Sequence, residues 1–166
     1  VAGGSAGAHL SLMLATRGGP GSADAKDPVD RESSAVQAAA GFFPPTDFLN
    51  YGKPGESAVG EGILKDFRSA FGEVPKDPEA KRRFAESISP IYHVRPGVPP
   101  VFLLVGDADK LVPMQQSEVF LERVKSVGGL GEIEVRPGQG HGWKDWENDV
   151  ERFAVWFDRH LRKLER

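Results

Sequence analysis

Val1-Ala2-Gly3-Gly4-Ser5-Ala6-Gly7-Ala8-His9-Leu10 sets a serine among glycines at the head of the chain, and the reading of this stretch decides the fold. Gly3-Gly4-Ser5-Ala6-Gly7 fits the pattern G-x-S-x-G, in which a strand turns abruptly into a helix and presents the serine hydroxyl at the tip of a strained turn. Side chains two places either side of such a serine would collide, so small residues are expected at both Gly3 and Gly7. Three fixed positions out of five arise by chance in Gly-rich loops. The pattern therefore carries weight only if a base and an acid follow at suitable places downstream.

Two strands place them. Val101–Val105 (V-F-L-L-V) is a continuous apolar run rich in β-branched residues, as expected of an interior parallel strand, and Gly106-Asp107-Ala108-Asp109 follows it directly. A second strand, I-E-V around Glu134, ends at Pro137 and is followed by Gln139-Gly140-His141-Gly142-Trp143. In open α/β sheets, ligands bind beyond the carboxyl ends of the strands. Serine, acid and histidine thus occur in the order Ser5, Asp109, His141, each just past a strand and ahead of a helix, which is the chain order of α/β hydrolases.

The surrounding pattern agrees. Ala6 to about Thr16 reads as a short helix apolar nearly all round and so buried on most sides, closed by Gly18-Gly19-Pro20. Gly18 to Ser34 is a polar surface loop, and Ala35–Phe43 is a strand buried on both faces. From Pro44 to Pro100, Pro, Gly and charge dominate, with short helices near Ile63–Phe71 and Pro78–Ser87. A connection this long predicts a lid-like insertion that builds a binding site. Val112-Pro113 begins a helix with Phe120, Leu121 and Val124 on one face and Gly128-Gly129 as its C-cap. The last helix, Asp145 to Leu164, is expected to bury the stripe Val150, Phe153, Phe157, Leu161 and Leu164. Helix, strand, insertion, strand, helix, strand, helix specifies a mostly parallel sheet flanked by helices, in one domain of 166 residues.

Composition narrows the function. A net charge of −3, with basic residues scattered, argues against a nucleic-acid or membrane partner, since either needs a basic face. The densest basic cluster, Arg159, Arg162, Lys163 and Arg166, complements the end of the last helix. The chain has no cysteine, so thiolate chemistry and Cys-based metal sites are excluded.

The segments G-G-S-A-G-A-H-L, S-A-V-Q-A-A-A-G-F-F-P-P-T-D-F, S-P-I-Y-H-V, V-F-L-L-V-G-D-A-D-K-L-V-P, Q-Q-S-E and P-G-Q-G-H-G-W resemble those of α/β-hydrolase serine esterases, particularly bacterial acetyl-xylan and feruloyl esterases and hormone-sensitive-lipase-like carboxylesterases. Val105 stands where such families often carry His. The resemblance implies the C-terminal part of an α/β hydrolase, with Ser5 as nucleophile, His141 as general base and acid, and Asp109, in preference to Asp107, orienting His141. It also implies the Ala6 backbone N–H as an oxyanion-hole donor, no metal or organic cofactor, and a small-molecule or carbohydrate-linked short-chain acyl ester as substrate. In that family several strands and a His-Gly-Gly type loop precede the elbow. The expectation is therefore an N-terminally incomplete domain, poorly active alone and able to self-associate through an exposed sheet edge.

Trp143 and Phe43 are candidate substrate-binding residues, with core packing as the alternative for Trp143. For the aromatic group Phe42, Phe43, Phe48 and Tyr51, lid packing is an equal alternative to pocket lining. His9 is expected to be buried and hydrogen-bonded rather than a second base, and His93 and His160 lack catalytic context. Two other readings remain: a prolyl-oligopeptidase-type peptidase, disfavoured by Ala6 where an aromatic usually follows the serine, and a non-catalytic binding module of hydrolase shape.

Overall fold

The computed structural model describes residues 1–162. Four strands, β1 (Ala2–Gly4), β2 (Ala39–Phe42), β3 (Val101–Gly106) and β4 (Gly131–Arg136), form one sheet in the order β1-β2-β3-β4, and every pair is parallel. The helices are α1 (Ala6–Arg17), α2 (Pro78–Ile88), α3 (Gln115–Ser126) and α4 (Val150–Leu161). Side chains alternate across a strand, so Val101 and Leu103 of β3 face Leu12 of α1 and Phe120, Leu121 and Val124 of α3. Phe102 and Leu104 face the other way, toward Phe153 and Trp156 of α4. β3 is buried along its whole length, as its unbroken apolar run requires.

The insertion between β2 and β3 carries its own small core of Phe48, Tyr51, Ala58, Val59, Leu64 and Ala85, joined by Val112. Its helix α2 is capped by Asp77, whose carboxylate accepts the Ala80 N–H at 2.8 Å, with Pro78 in the first turn; such a cap is worth about 1 kcal/mol. Gln116, fully buried at the start of α3, ties the insertion down: its Oε1 accepts the Thr46 and Asp47 N–H groups at 2.9 and 2.8 Å, and its Nε2 donates to the Asn50 carbonyl at 3.1 Å.

Several elements differ from the sequence reading. β2 begins at Ala39, not Ala35, because the strand alongside is preceded by Pro99 and Pro100, which have no N–H to offer a longer ladder. Leu10 and Leu14 of α1 are exposed, so the helix buries one face rather than most of its surface. Gly62–Phe71 is a pair of 3-10 turns kinked at Leu64. The helix expected from Val112-Pro113 begins at Gln115. The last helix starts late: Asp145 is left-handed (φ 58°), a 3-10 turn spans Trp146–Asp149, and α4 follows. Val150 and Leu161 are exposed, and Trp156 joins Phe153 in the core in their place. Leu164, Lys163 and Arg166 lie outside the described residues, while Arg159 and Arg162 pair with Glu132 and Asp158. Among the described residues, no helix is long and apolar enough to cross a membrane.

Candidate active site

Ser5 sits between β1 and α1 with φ 52° and ψ −116°, a left-handed backbone that a non-glycine residue adopts only under constraint. Two bonds impose it: the Ser5 N–H donates to the Phe42 carbonyl at 2.9 Å, and the His9 N–H donates to the Ser5 carbonyl at 3.0 Å. Gly3 is required, since a Cβ there would lie 2.5 Å from the Gly7 carbonyl oxygen and 2.8 Å from the Ala8 nitrogen. Gly7 corrects the expectation of symmetric crowding, because a Cβ at that position meets nothing within 4 Å.

Asp109 lies in the turn after β3 with its side chain almost wholly buried. Its Oδ1 accepts the N–H groups of Leu111 (2.8 Å) and Val112 (2.9 Å), which fixes the carboxylate plane, and its Oδ2 stands 2.8 Å from His141 Nδ1. His141 Nε2 is 2.9 Å from Ser5 Oγ. With its proton on Nδ1, the imidazole donates to Asp109 and is left with a lone pair facing the serine hydroxyl. Asp107 is bonded elsewhere: its Oδ1 accepts the Gly138 N–H at 2.6 Å, which ties the two loops together. The loops cross closely because Gly106 has no Cβ, which would strike the Gln139 carbonyl, and the Ala108 N–H donates to that same carbonyl at 3.0 Å. Ala6 opens α1, where the first N–H groups have no carbonyl within the helix to bind.

Beside Ser5 lies a cavity of about 490 Å³, lined almost entirely by apolar side chains, among them Leu10, Phe48, Leu64, Phe67, Phe71 and Ile88. Most of these come from the insertion. The polar groups at its wall are occupied: Tyr51 donates its hydroxyl to the Leu111 carbonyl (3.1 Å), and the His9 imidazole is 2.7 Å from the Ile88 carbonyl. Burial, followed by the nearby Asp109 charge, raises the Tyr51 pKa and keeps the phenol neutral. His9 is hydrogen-bonded as expected but half-buried rather than buried; this desolvation lowers its pKa, partly opposed by its bond to Ile88.

Phe43 and Trp143 stand elsewhere than along this cavity. Both are buried with Phe42, Trp146 and Phe153 beneath the histidine loop, where the aromatic rings pack edge to face. Phe43 has φ 38° and sets its ring 4.4 Å from the His141 imidazole, a floor for the histidine that nothing in the sequence announces. Equally without a sequence signal is the pairing of Arg136, at the end of β4, with Asp149, 13 residues later; in sequence both read as ordinary solvated charges. Among the described residues, no group of three or more His, Asp or Glu is placed to hold a metal ion.

A parallel sheet with a serine elbow after β1, an acid after β3 and a histidine after β4 defines the α/β-hydrolase class. The chain belongs to the BD-FAE family, which matches residues 1–124. It is similar to esterase LipQ of Mycobacterium tuberculosis (strain ATCC 25618 / H37Rv), 31% identical over 135 residues, covering 77% of this chain and 28% of that one. Esterase LipC of the same organism is 28% identical over 145 residues, covering 86% and 34%. In structure it is similar to an acetyl ester-xyloside bifunctional hydrolase from Caldicellulosiruptor lactoaceticus, with a TM-score of 0.74 at 24% identity over 96% of this chain and 55% of that one. The chain thus spans about a third or less of the length of these curated relatives and about half of the solved structure. The family match stops at Val124, short of His141, so the histidine's place rests on the geometry.

Proposed function

We propose that the chain carries the nucleophile, acid and histidine of a serine carboxylic-ester hydrolase. The observation that carries this reading is the continuous line Ser5 Oγ, His141 Nε2, His141 Nδ1, Asp109 Oδ2, with spacings of 2.9 and 2.8 Å. In the reaction, Ser5 Oγ bonds to the ester carbonyl carbon while His141 Nε2 takes the hydroxyl proton. The ester C–O bond then breaks, His141 returns the proton to the leaving alcohol, and Ser5 holds the acyl group. Water, deprotonated by the same imidazole, attacks the acyl-enzyme and releases the acid and free Ser5. Asp109 holds the productive tautomer, and the Ala6 N–H at the start of α1 faces the developing oxyanion.

The substrate reading is a short-chain acyl ester, with acetyl and feruloyl esters of polysaccharide as the named candidates. The cavity beside Ser5 supports an apolar acyl group, because its hydroxyl and imidazole are already bound to carbonyls and leave no free partner for a charged one. The test is hydrolysis of p-nitrophenyl acetate and butyrate by the purified chain, together with fluorophosphonate labelling. Slow turnover and labelling, both abolished in Ser5→Ala, are expected, and rapid turnover would overturn the expectation that the chain is poorly active alone. A chain whose Ser5 is not labelled would instead be a binding module of hydrolase shape.

A further inference from the structure

We propose that Asp149 is a positioning residue for His141, acting through Trp143 and clasped by Arg136; this rests on the reading of His141 as the general base. The loop from Pro137 to Asp149 has little regular structure to hold it, with Gly138, Gly142 and Asp145 all at positive φ. Its two ends are instead joined side chain to side chain. Arg136 Nη2 donates to Asp149 Oδ1 at 2.6 Å and Arg136 Nε donates to Oδ2 at 3.2 Å, a bidentate pair of fixed geometry.

The same Oδ2 accepts the Trp143 indole N–H at 3.0 Å. Trp143 is two residues past His141, is buried, and meets the Phe43 ring edge to face at 5.5 Å. Phe43 in turn lies 4.4 Å from the imidazole. One carboxylate therefore fixes the loop's ends, its middle and, through the indole, the aromatic floor on which the histidine rests. Arg136 is steadied from its other side by Glu134, which also accepts from Arg152 at 2.8 Å. The Arg136 guanidinium, opposed by burial and aided by the Trp143 N–H, holds the Asp149 carboxyl below the usual carboxylate range, so the clasp stays charged.

The experiment uses the full chain and two readouts: the low-field proton resonance of His141 Nδ1–H, which does not depend on turnover, and kcat against KM for a p-nitrophenyl ester. Trp143→Phe keeps an aromatic ring and removes the N–H together with part of the indole bicycle; Asp149→Ala removes the clasp; Arg136→Lys and Arg136→Gln test rescue by charge. The resonance is expected in the unsubstituted protein, lost to exchange in Trp143→Phe, Asp149→Ala and Arg136→Gln, and partly kept in Arg136→Lys. The value of kcat should fall about 10- to 100-fold with KM unchanged, the loss that follows a misplacement on the order of 1 Å. Thermal melts guard against global unfolding, and Trp143→Phe decides the matter where Asp149→Ala fails to fold. A resonance and kcat unaltered in Trp143→Phe overturn the proposal. A resonance that responds as expected in a chain without turnover upholds the clasp and overturns the esterase reading, and absence of the resonance from the unsubstituted protein overturns both.

Discussion

Replacing Asp109 by Asn should separate the orientation of the histidine from the stability of the turn. In the structure Oδ1 already accepts two backbone N–H groups, from Leu111 and Val112, while Oδ2 faces His141 Nδ1. An asparagine has one oxygen, and turning its NH₂ toward Leu111 and Val112 would set donor against two donors. The oxygen must stay there, and the NH₂ then faces His141. His141 Nδ1 becomes an acceptor, its proton moves to Nε2, and Nε2 loses the lone pair that would take the Ser5 proton. The loss in kcat expected from a wrong tautomer with intact geometry is about 10⁴-fold. Stability should change little. Asp109→Ala differs, since two buried N–H groups lose their acceptor; at about 2 kcal/mol in all this lowers Tm by ~4–8 °C for a domain of this size. Turnover of a p-nitrophenyl ester, the rate of fluorophosphonate labelling and thermal melts measure the three quantities. An Asp109→Asn variant within tenfold of the parent, or an Asp109→Ala variant as stable as Asp109→Asn, would be incompatible with these roles for the two carboxylate oxygens.

Two further outcomes follow from the geometry of the elbow. His9 is held neutral by burial, so the unfolded chain takes up its proton near pH 6.5 while the folded chain does so only at lower pH. Its contribution to stability is complete above about pH 6.5 and drains away as pH falls from there through the depressed folded value. The drop in Tm between about pH 7.5 and 5 should be smaller in His9→Gln, and equal drops in the two proteins would contradict the sign. Gly3→Ala drives a methyl against the Gly7 carbonyl and should destabilise by about 1–3 kcal/mol. Gly7→Ala points into open space within a helix and should be neutral or stabilising by up to about 1 kcal/mol. Melting curves that shift in the same direction for both would show that the elbow is not crowded as described.

The parts of this protein legible in its sequence are those where local pattern and chemistry coincide. β3 announces itself by composition, and Ser5, Asp109 and His141 each lie within a short turn or loop past a strand, so strand position brings them to one sheet edge. The start of β2 is not legible in the same way because ladder length depends on neighbours: Pro99 and Pro100 deny it partners from some sixty residues away. The stripe expected on α4 fails for a related reason, since the left-handed turn at Asp145 delays the helix and Trp156 takes a core place expected of Val150 and Leu161. Phe43, a pocket candidate from its sequence position, is a floor for the histidine; its positive φ is imposed by tertiary packing and leaves no mark on the sequence. The Arg136–Asp149 clasp closes a 13-residue loop, a separation at which opposite charges carry no local signal.

The all-parallel ladder has a kinetic consequence. A parallel pair admits no hairpin, so β1 must find β2 across more than thirty residues and β2 must find β3 across about sixty. Ser5 and His141 are 136 residues apart. Contacts this distant are paid for in loop-closure entropy before they return any stability, which makes such topologies slow to form. The serine leaves the ribosome 136 residues ahead of its imidazole partner. A reagent that labels activated serine would consequently serve as a clock for the last steps of folding, silent in every partly assembled state.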